Sequence, residues 1–449
     1  MGEHVDVAVI GMGPGGEVAA SRLLAGGKRV AVIERELIGG ECAYWACIPS
    51  KTVLRPGEAS SEIDRAAGVG GATLDWPNAR DYRNYMARHL DDSAQVTSYA
   101  DQGAIVFKGE ARITGVGRVQ VGEREVTADH LVIATGSSAT IPPIPGLDEV
   151  TTWTNRETYT LADLPARAVI VGGGPVGIET AQFLSRFGVP VTLLERSDRL
   201  LDREEVRISE LAAGYLREAG VEVRTGASPR HAHREGAESV LDFDDGSQAR
   251  GDVVILATGR NPRTAGLGLE HTGASVGKRG EVIVDEHCRA AEGVWAIGDV
   301  TGLMPFTHVA KYQGRVVADG ILGRSRVARY AGIPRVVFAD PEIAAAGLTQ
   351  TEADRKGLNT TSAEIDLAAA LARPWTYERD PRGRLGLLAA TDRRVLVGAW
   401  AVAPQAAEWV HQACLAIRAE IPIEVLLDQV AQFPTYSEGY LTALEALDL

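Results

Sequence analysis

Cysteine, aromatic residues and positive charge are all scarce in this sequence. Among 449 residues there are four cysteines, aromatic residues make up 6%, and the formal net charge is −14 at pH 7. So few cysteines exclude a disulfide scaffold and are typical of a reducing compartment, so we expect a cytoplasmic protein. The acidic balance argues against nucleic acid as a partner.

Long apolar runs and a cationic leader are also missing. No apolar stretch reaches the roughly 18 residues of a membrane span, and the first six residues, MGEHVD, lack the positive region of a signal peptide. We therefore expect neither a membrane span nor a signal peptide. The length and the 45% hydrophobic content instead indicate a globular protein of about three domains.

Two of the cysteines lie in the stretch with the strongest chemical signal. Cys42 and Cys47 are five positions apart and are followed by IPSK, which ends at Lys51. In a regular helix this spacing is a rise of about 7.5 Å, whereas a disulfide needs Cα atoms closer than about 7 Å. A bridge therefore requires a distorted helix or a tight loop, and strained bridges are typical of reducible, catalytic disulfides.

Two other interpretations of the cysteines stay open at this point. They are either two buried free thiols or half of a metal site. Zinc sites usually bring a second Cys or His pair at short spacing, and no such pair accompanies this one. We therefore predict redox activity and no metal site.

The N-terminal region has the pattern of a dinucleotide-binding βαβ unit. An apolar strand over 5–10 leads into GMGPGG and an Ala/Leu-rich helix, and a second strand ends at Glu34. Gly11 allows the turn, Gly13 lets a pyrophosphate approach the backbone, and Gly16 lets the helix pack on the strand. The helix N-terminus favours phosphate, and Glu34 is placed to accept a ribose hydroxyl.

The same pattern occurs a second time. The strand over 168–171 leads into GGGPVG, with Gly172, Gly174 and Gly177, and the next strand ends at Glu195. The first glycine and the acid are 23 positions apart in both copies. We therefore predict two dinucleotide-binding units in one chain.

The remaining sequence completes an α/β protein of three domains. Two strands end in Ala-Thr-Gly, at 134–136 and 257–259, and the strand ending at Asp299 returns the chain to the first domain. Short antiparallel layers are expected near 112–126 and 240–250. From about 333 an α+β domain follows, with strands near 385–399, helices over 406–420 and 423–431, and a helical end over 437–449.

These features together resemble the flavoprotein disulfide reductases, the family of dihydrolipoamide dehydrogenase, glutathione reductase and mercuric reductase. The CxxxxC-IPSK stretch is the most specific sign, and FPTYSE at 433–438 lies in the family's order. The resemblance implies two Rossmann-like dinucleotide-binding domains and a C-terminal α+β dimerisation domain. It implies an FAD-binding domain over 1–150 and 283–330, an NAD(P)-binding domain over 151–282 and a dimerisation domain over 331–449.

The resemblance also implies the roles of individual residues. The first unit is expected to bind FAD, with Asp299 on the ribityl chain, and the second to bind a nicotinamide cofactor. Lys51 is expected beside the flavin ring, paired with Glu179. Further cofactor positions implied in this way are Ala111, Thr135, Gly136, Gly259 and Ala310.

The expected electron route runs from the nicotinamide to the flavin and then to the disulfide. Cys47 is expected to contact the flavin and Cys42 to face the substrate. Glu195 favours NADH because a carboxylate repels a 2′-phosphate; Arg196 and Arg199 leave NADPH possible. The dimerisation domain implies a homodimer with shared active sites.

The sequence departs from the family at its acid–base residue. The family has a histidine before Pro-Thr, paired with a glutamate five positions later; here Phe433 stands there, while Glu438 remains. Losing a general acid–base typically costs about 10²–10⁴ in rate. Efficient turnover of lipoamide or glutathione disulfide becomes doubtful, and acceptors that need no such proton are favoured: quinones, metal ions, or disulfides with low-pKa leaving groups.

Several residues have two interpretations. Tyr44 and Trp45 either pack in the interior or shape an aromatic substrate mouth. His308 is expected to be structural, and His411 is a possible substitute base that fits a packing or interface role better. Cys288 and Cys414 are expected to be buried thiols.

We therefore expect an FAD-dependent NAD(P)H oxidoreductase that passes electrons through Cys42–Cys47 to a disulfide or another small molecule. One alternative is a direct reductase of quinones or metal ions, in which the cysteines are a relay or a switch. Another is a redox sensor that holds FAD and turns over slowly.

Overall fold

A computed structural model describes residues 3–449. The chain forms two compact units. Unit 1 contains the described residues up to Ser50, Asp81–Thr140 and Gly259–Arg329; unit 2 contains Lys51–Arg80, Ile141–Thr258 and Tyr330–Leu449. The predicted boundaries of the three domains stay a prediction.

The elements of the first half are β1 (Glu3–Ile10), α1 (Pro14–Ala25), β2 (Val30–Glu34), α2 (Gly40–Tyr44), α3 (Cys47–Arg65), α4 (Trp76–Met86), α5 (Ser93–Asp101), β3 (Ile105–Lys108), β4 (Ala111–Gly115), β5 (Arg118–Val121), β6 (Arg124–Ile133), β7 (Ser137–Ala139), β8 (Thr152–Trp153), α6 (Asn155–Thr158), β9 (Ala168–Val171), α7 (Pro175–Arg186), β10 (Val191–Leu194) and α8 (Val206–Glu218).

The elements of the second half are β11 (Glu222–Arg224), β12 (His231–Glu235), β13 (Glu238–Asp242), β14 (Gln248–Gly251), β15 (Val253–Leu256), β16 (Arg260–Pro262), β17 (Arg289–Ala291), β18 (Val294–Ala296), α9 (Thr307–Ile321), β19 (Pro334–Val337), β20 (Glu342–Gly347), α10 (Gln350–Arg355), β21 (Thr360–Asp366), α11 (Leu367–Ala370), α12 (Arg373–Tyr377), β22 (Arg384–Ala390), β23 (Val395–Ala403), α13 (Ala406–Trp409), α14 (His411–Arg418), α15 (Ile423–Leu427) and α16 (Glu438–Glu445).

Unit 1 is organised by an eight-stranded sheet. Its strand order is β17-β18-β6-β1-β2-β3, with β5 pairing to β6 and β4 to β5. Strands β18, β6, β1, β2 and β3 pair in parallel, whereas β4, β5 and β6 form an antiparallel layer. The apolar, buried residues 7–10 of β1 and 30–33 of β2 fit a parallel sheet that is covered on both faces.

Unit 2 contains three sheets. The parallel sheet has the order β11-β10-β9-β15-β8, beside a three-stranded antiparallel sheet, β12-β13-β14. The C-terminal region forms the antiparallel sheet β19-β20-β23-β22-β21 with helices packed on it. The predicted fold class is thereby confirmed: parallel nucleotide-binding sheets and an antiparallel C-terminal domain.

Two C-terminal helices differ from their predicted bounds. The helix expected over 406–420 is divided at Val410 into α13 and α14, and the helix expected over 423–431 ends at Leu427. Between Leu427 and Tyr436 no side chain is buried, and Val430 is fully exposed. Helix stability in proteins comes mainly from packing an apolar face, so nothing extends this helix.

Candidate active site

The cysteine pair lies at a break between two helices of the N-terminal region. Helix α2 carries Cys42 and ends at Tyr44, and α3 begins at Cys47. This interruption is the distorted helix that the spacing requires for a disulfide. Of the two geometries that the sequence left open for a bridge, a distorted helix or a tight loop, the structure has the first.

Both sulfurs share one hydroxyl group. Cys47 Sγ lies 3.3 Å from Thr307 Oγ1, and that hydroxyl donates to Cys42 Sγ at 3.4 Å. A hydrogen bond with Cys47 and burial raise the pKa of the Cys42 thiol, while Thr307 and Lys311 oppose the shift. Both sulfurs therefore lie at one hydroxyl, and the hydrogen bond with Cys47 and burial favour the protonated thiol at Cys42.

Sequence reasoning missed Thr307. It lies 260 positions beyond Cys47, at the start of α9. A threonine between Phe306 and His308 carries no motif of its own. Only the packing of α9 within unit 1 reveals that its hydroxyl reaches the cysteine pair.

The two aromatic residues between the cysteines have different surroundings. Tyr44 is completely buried, and its hydroxyl donates to the carbonyl of Ile38 at 3.1 Å. Arg88 Nη1 donates to that hydroxyl at 3.3 Å. Tyr44 is therefore a packing residue and cannot shape a substrate mouth; Trp45 is half-buried and packs at a tilt against it.

Lys51 and Glu179 form an ion pair in unit 2. Lys51 Nζ donates to Glu179 Oε2 at 2.7 Å and lies 4.8 Å from the centre of the Phe338 ring. The other carboxylate oxygen accepts the backbone N–H of Phe338 at 3.0 Å. The Glu179 side chain is 7% exposed and that of Lys51 36%, so a largely buried carboxylate holds a lysine whose head group stays accessible.

The two glycine-rich turns have the same geometry, and their glycines fall into two kinds. A Cβ built on the first glycine, Gly11 or Gly172, would lie only 2.4 or 2.3 Å from a neighbouring carbonyl oxygen. A Cβ built on the third glycine, Gly16 or Gly177, would lie only 2.1 or 1.9 Å from one. Packing of the protein therefore requires glycine at these four positions.

The second glycine of each turn is different. A Cβ on Gly13 or Gly174 would meet no protein atom within 4 Å. Their φ angles, −71° and −82°, are open to any residue. The protein itself does not require glycine here, and the free space lies beside a helix N-terminus that favours phosphate.

The acid that follows each turn is fixed by two backbone N–H groups. Glu34 accepts from Met12 and Glu36 at 2.8 Å each. Glu195 accepts from Gly173 at 2.6 Å and from Ser197 at 2.8 Å. Both carboxylates therefore lie against their glycine turn.

The Ala-Thr-Gly segments lie beside the glycine turns. The carbonyl oxygens that approach Gly11 and Gly172 belong to Ala134 and Ala257. Gly136 and Gly259 have φ angles of +69° and +113°, which favour glycine. The backbone of each Ala-Thr-Gly segment therefore closely approaches the first glycine of a glycine-rich turn.

The other predicted FAD residues lie in unit 1. Thr135 Oγ1 donates to the carbonyl of Arg263 at 2.7 Å, and Asp299 accepts from Ser137 Oγ at 2.6 Å. Ala310 on α9 lies 3.1 Å from where a Cβ of Gly15 would be, and Ala111 begins β4. The assignment of these residues to a cofactor stays a prediction.

The position of the family's histidine is occupied by an accessible phenylalanine. Phe433 is 63% exposed. Glu438 Oε2 and the Tyr436 hydroxyl are buried and have no hydrogen-bond partner among residues 3–449. A buried, unsatisfied carboxylate oxygen is costly, and no group of the described residues offsets that cost at Glu438 Oε2.

Cys288 and Cys414 have the burial expected from the sequence, whereas the roles expected for His308 and His411 stay predictions. Cys288 and Cys414 are buried, and burial raises the pKa of Cys414 to about 11. His308 stacks on Phe306 with ring centres 5.2 Å apart. His411 begins α14 and is exposed.

Comparison with known proteins identifies similar sequences over nearly the whole chain. Residues 5–314 match the family described as pyridine nucleotide-disulphide oxidoreductase, and residues 333–444 match its dimerisation domain. A mercuric reductase from Streptomyces lividans is 36% identical over 99% of this chain and 95% of its own length. A dihydrolipoyl dehydrogenase from Geobacillus stearothermophilus is 29% identical over 98% of this chain and 96% of its own length.

The fold is similar to that of a solved disulfide reductase. The Cu(II) complex of the HOCl-induced flavoprotein disulfide reductase RclA from Escherichia coli has a TM-score of 0.89 and 27% identity, over 99% of this chain and all of that chain. Among the helices of the described chain, none combines the length and apolar character needed to cross a membrane.

Proposed function

Because the chain belongs to the pyridine nucleotide-disulphide oxidoreductase family, we propose that it is an FAD-dependent NAD(P)H oxidoreductase that works through the Cys42–Cys47 pair. The observation that carries the proposal is the contact of both sulfurs with the Thr307 hydroxyl at the break between α2 and α3. In the proposed cycle the pair alternates between a disulfide and a dithiol, gaining two electrons and two protons on reduction.

The glycine turns support two nucleotide sites. Gly13 and Gly174 leave space that no protein atom fills, and a pyrophosphate fits such a space at a helix N-terminus. In our proposal unit 1 holds FAD through Gly11, Gly13, Gly16, Glu34 and Asp299, and unit 2 holds the nicotinamide nucleotide through Gly172, Gly174, Gly177 and Glu195. Bound FAD supplies two-electron exchange between the nicotinamide and the cysteine pair.

Lys51 and Glu179 have an electrostatic role in this proposal. An accessible ammonium group stabilises negative charge that develops nearby. Glu179 holds Lys51 in one position through the 2.7 Å ion pair, and the N–H of Phe338 fixes Glu179 in turn. Glu179 is therefore a positioning residue for Lys51.

The surroundings of Glu195 favour NADH over NADPH. A carboxylate fixed by two backbone N–H groups accepts ribose hydroxyls and repels a 2′-phosphate. Arg199 donates to the carbonyl of Glu204 and to Ser209 Oγ, at 2.9 and 2.7 Å. Its guanidinium is thereby engaged within its own loop, which weakens the case for phosphate recognition by this residue.

We infer that the acceptor is a thiophilic metal ion. Phe433 supplies no proton to a departing thiolate, whereas a metal ion needs none. A reduced cysteine pair offers two soft sulfur ligands to such an ion. Similar proteins named mercuric reductase and a Cu(II) complex of a related disulfide reductase are consistent with this acceptor class.

Stopped-flow reduction by NADH tests the cysteine pathway. We expect rapid flavin reduction followed by a long-wavelength thiolate–flavin charge-transfer band. Cys47→Ser should abolish the band and reduce acceptor turnover by at least about 10³-fold, a magnitude typical of losing a reacting group. Cys414→Ala is the matched control, because this buried thiol has no role in the proposal. Rapid reduction with no band indicates a direct reductase, and no reduction indicates a sensor.

Replacing Phe433 tests the acceptor class. Phe433→His should raise lipoamide disulfide turnover by about 10²-fold, because the new imidazole can be oriented by Glu438 and can protonate the leaving thiolate. The double variant Phe433→His with Glu438→Gln should lose most of the gain. A high lipoamide rate in the unaltered protein, above its rates with Hg²⁺ and Cu²⁺, would contradict the metal-ion proposal.

The family's dimerisation domain supports a homodimer. Analytical ultracentrifugation should give twice the 47.7 kDa mass of the chain. A monomer that retains full activity would contradict shared active sites.

A further inference from the structure

Two histidines and an aspartate converge on the small antiparallel sheet of unit 2. His231 and His233 are two positions apart on β12, so their side chains lie on one face. Asp242 on β13 is the register partner of His231. One ligand atom from each of the three residues lies within 4.8 Å of the other two.

The spacing of these atoms suits one metal ion. Asp242 Oδ2 lies 3.1 Å from His233 Nδ1 and 3.8 Å from His231 Nδ1. Two ligand atoms bound tetrahedrally at about 2.0–2.1 Å from zinc are about 3.3 Å apart. The two distances to Asp242 are within about 0.5 Å of this value. The two imidazole nitrogens lie within 4.8 Å of each other, so rotation of the half-exposed His231 side chain has to bring its Nδ1 closer to a common ion.

His233 and Asp242 are also linked by a chain of hydrogen bonds. Glu235 accepts from His233 Nε2 at 3.1 Å and from Arg250 Nη1 at 2.7 Å. Arg250 Nε donates to Gln248 Oε1 at 3.1 Å, and Gln248 Nε2 donates to Asp242 Oδ1 at 2.8 Å. Carboxylate support of a ligating histidine fixes its ring and increases its basicity.

His231 is held from its other side. A Cβ on Gly146 would lie 3.2 Å from His231 Nε2, so this nitrogen packs against the backbone of Gly146, which leaves Nδ1 toward Asp242. The backbone of β12 is tied to the same segment, because Ala232 N–H donates to the carbonyl of Pro145 at 2.8 Å. The His231 side chain is about half exposed, so an ion can reach the group from solvent.

We propose that His231, His233 and Asp242 form a binding site for one divalent transition-metal ion, Zn²⁺ or Cu²⁺. Two imidazoles and one carboxylate suit these ions. Three protein ligands leave a coordination position for water or another ligand. The site consists of residues that the proposed redox reaction does not use.

Metal titration of the FAD-containing protein tests this site. The Cys42→Ser/Cys47→Ser variant serves as background, so that the cysteine pair does not hold the ion. We expect one Zn²⁺ per chain by calorimetry, and a Cu²⁺ electron paramagnetic resonance spectrum with coupling to two nitrogens. His231→Ala and Asp242→Asn should each weaken Zn²⁺ binding by about 100-fold. Glu235→Gln, which keeps all three ligands and weakens the contacts of residue 235 with His233 and Arg250, should weaken it by about tenfold.

A matched control distinguishes this site from adventitious binding. His271 is also exposed and lies beside a carboxylate, Glu270, at 3.8 Å. His271→Ala should leave the affinity unchanged. The proposal would be overturned if His271→Ala and His231→Ala lowered the Zn²⁺ affinity equally. It would also be overturned if more than one ion bound weakly per chain, or if the Cu²⁺ spectrum showed no nitrogen coupling. All these substitutions are at exposed or half-buried side chains, and circular dichroism checks that each variant is folded.

Discussion

The two dinucleotide-binding units have the same backbone and different side chains. In both, packing requires the first and third glycines, and two N–H groups hold the acid. They differ just after the third glycine, where α1 has Glu17 and Val18 and α7 has Ile178 and Glu179. The acids also differ in burial, since Glu34 is only 8% exposed and Glu195 is half-buried.

The features that the two units share concern nucleotide binding, whereas the residues that differ after the third glycine concern other contacts, such as the ion pair of Glu179 with Lys51. The shared glycines and acid are sufficient for a nucleotide cradle, so they recur. Glu179 appears once because a single lysine, Lys51, needs a partner. In the proposed function, the deeply buried Glu34 belongs to the FAD site, and the more open Glu195 belongs to the site of a nucleotide that exchanges at each turnover.

The glycines allow the sharpest test of the shared geometry. Gly16→Ala and Gly177→Ala should each lower the free energy of unfolding by about 3 kcal/mol, because the added Cβ would overlap a carbonyl oxygen. Gly13→Ala and Gly174→Ala should leave stability within about 0.5 kcal/mol and weaken FAD and NADH binding, respectively. Urea unfolding and nucleotide titration measure both effects. Equal destabilisation by all four substitutions would show that the second glycine is structural.

Glu179→Val introduces into α7 the residue that α1 has at the equivalent position, Val18, two positions after the third glycine. The change removes the partner of Lys51 and the acceptor of the Phe338 N–H. Breaking a buried ion pair costs about 3–5 kcal/mol; because Lys51 is partly exposed, we expect about 2 kcal/mol in urea unfolding and slower flavin reduction by NADH. In Glu179→Gln, which keeps the acceptor for Phe338, stability should largely recover while reduction stays slow. Flavin reduction by NADH at the normal rate in both variants would show that Glu179 has no role in the proposed reaction.

Replacing Glu34 and Glu195 tests which acid belongs to the site of a permanently bound FAD and which to the site of an exchanging NADH. Glu195→Ala should raise the KM for NADH by about tenfold, the loss of roughly one charged hydrogen bond, without changing the flavin content of the purified protein. Glu34→Ala should lower the flavin content and leave the KM for NADH nearly unchanged. Steady-state kinetics and flavin absorbance measure the two effects. Arg199→Ala is the control that tests whether this arginine contributes to NADPH use. If Glu195→Ala lowered the flavin content and Glu34→Ala raised the KM for NADH, the assignment of the two nucleotide sites would have to be exchanged.

The smallest expected effect is on the pH dependence of stability and comes from Glu17. Burial raises the pKa of Glu17 above its ordinary value, with Arg88 and Lys311 opposing the shift. The folded protein then binds this proton more tightly than the unfolded chain, so stability falls as pH rises from 4.5 through the raised pKa. Glu17→Ile, which introduces the residue found at the same place in the second glycine turn, should flatten this decline when calorimetry follows stability upward from pH 4.5. An unchanged slope would show that other groups cause it.

Much of the fold and part of the site were predictable from residues close in sequence. The strand–glycine–helix–strand pattern was sufficient to locate both units, because positive φ and close packing leave no alternative to glycine at Gly11 and Gly16. The five-residue spacing of the cysteines implied the interrupted helix. The ends of the C-terminal helices were less predictable, because they depend on which side chains become buried.

The sequence by itself determined the two nucleotide cradles and the cysteine pair, since local backbone geometry allows few residues to form them. Only the tertiary structure decided that Thr307 contacts both sulfurs, that Tyr44 is buried, and that His231, His233 and Asp242 converge. These contacts join residues on different elements, in the case of Cys47 and Thr307 260 positions apart. Their side chains meet only after strands have paired and helices have packed, and no short-range pattern encodes that outcome.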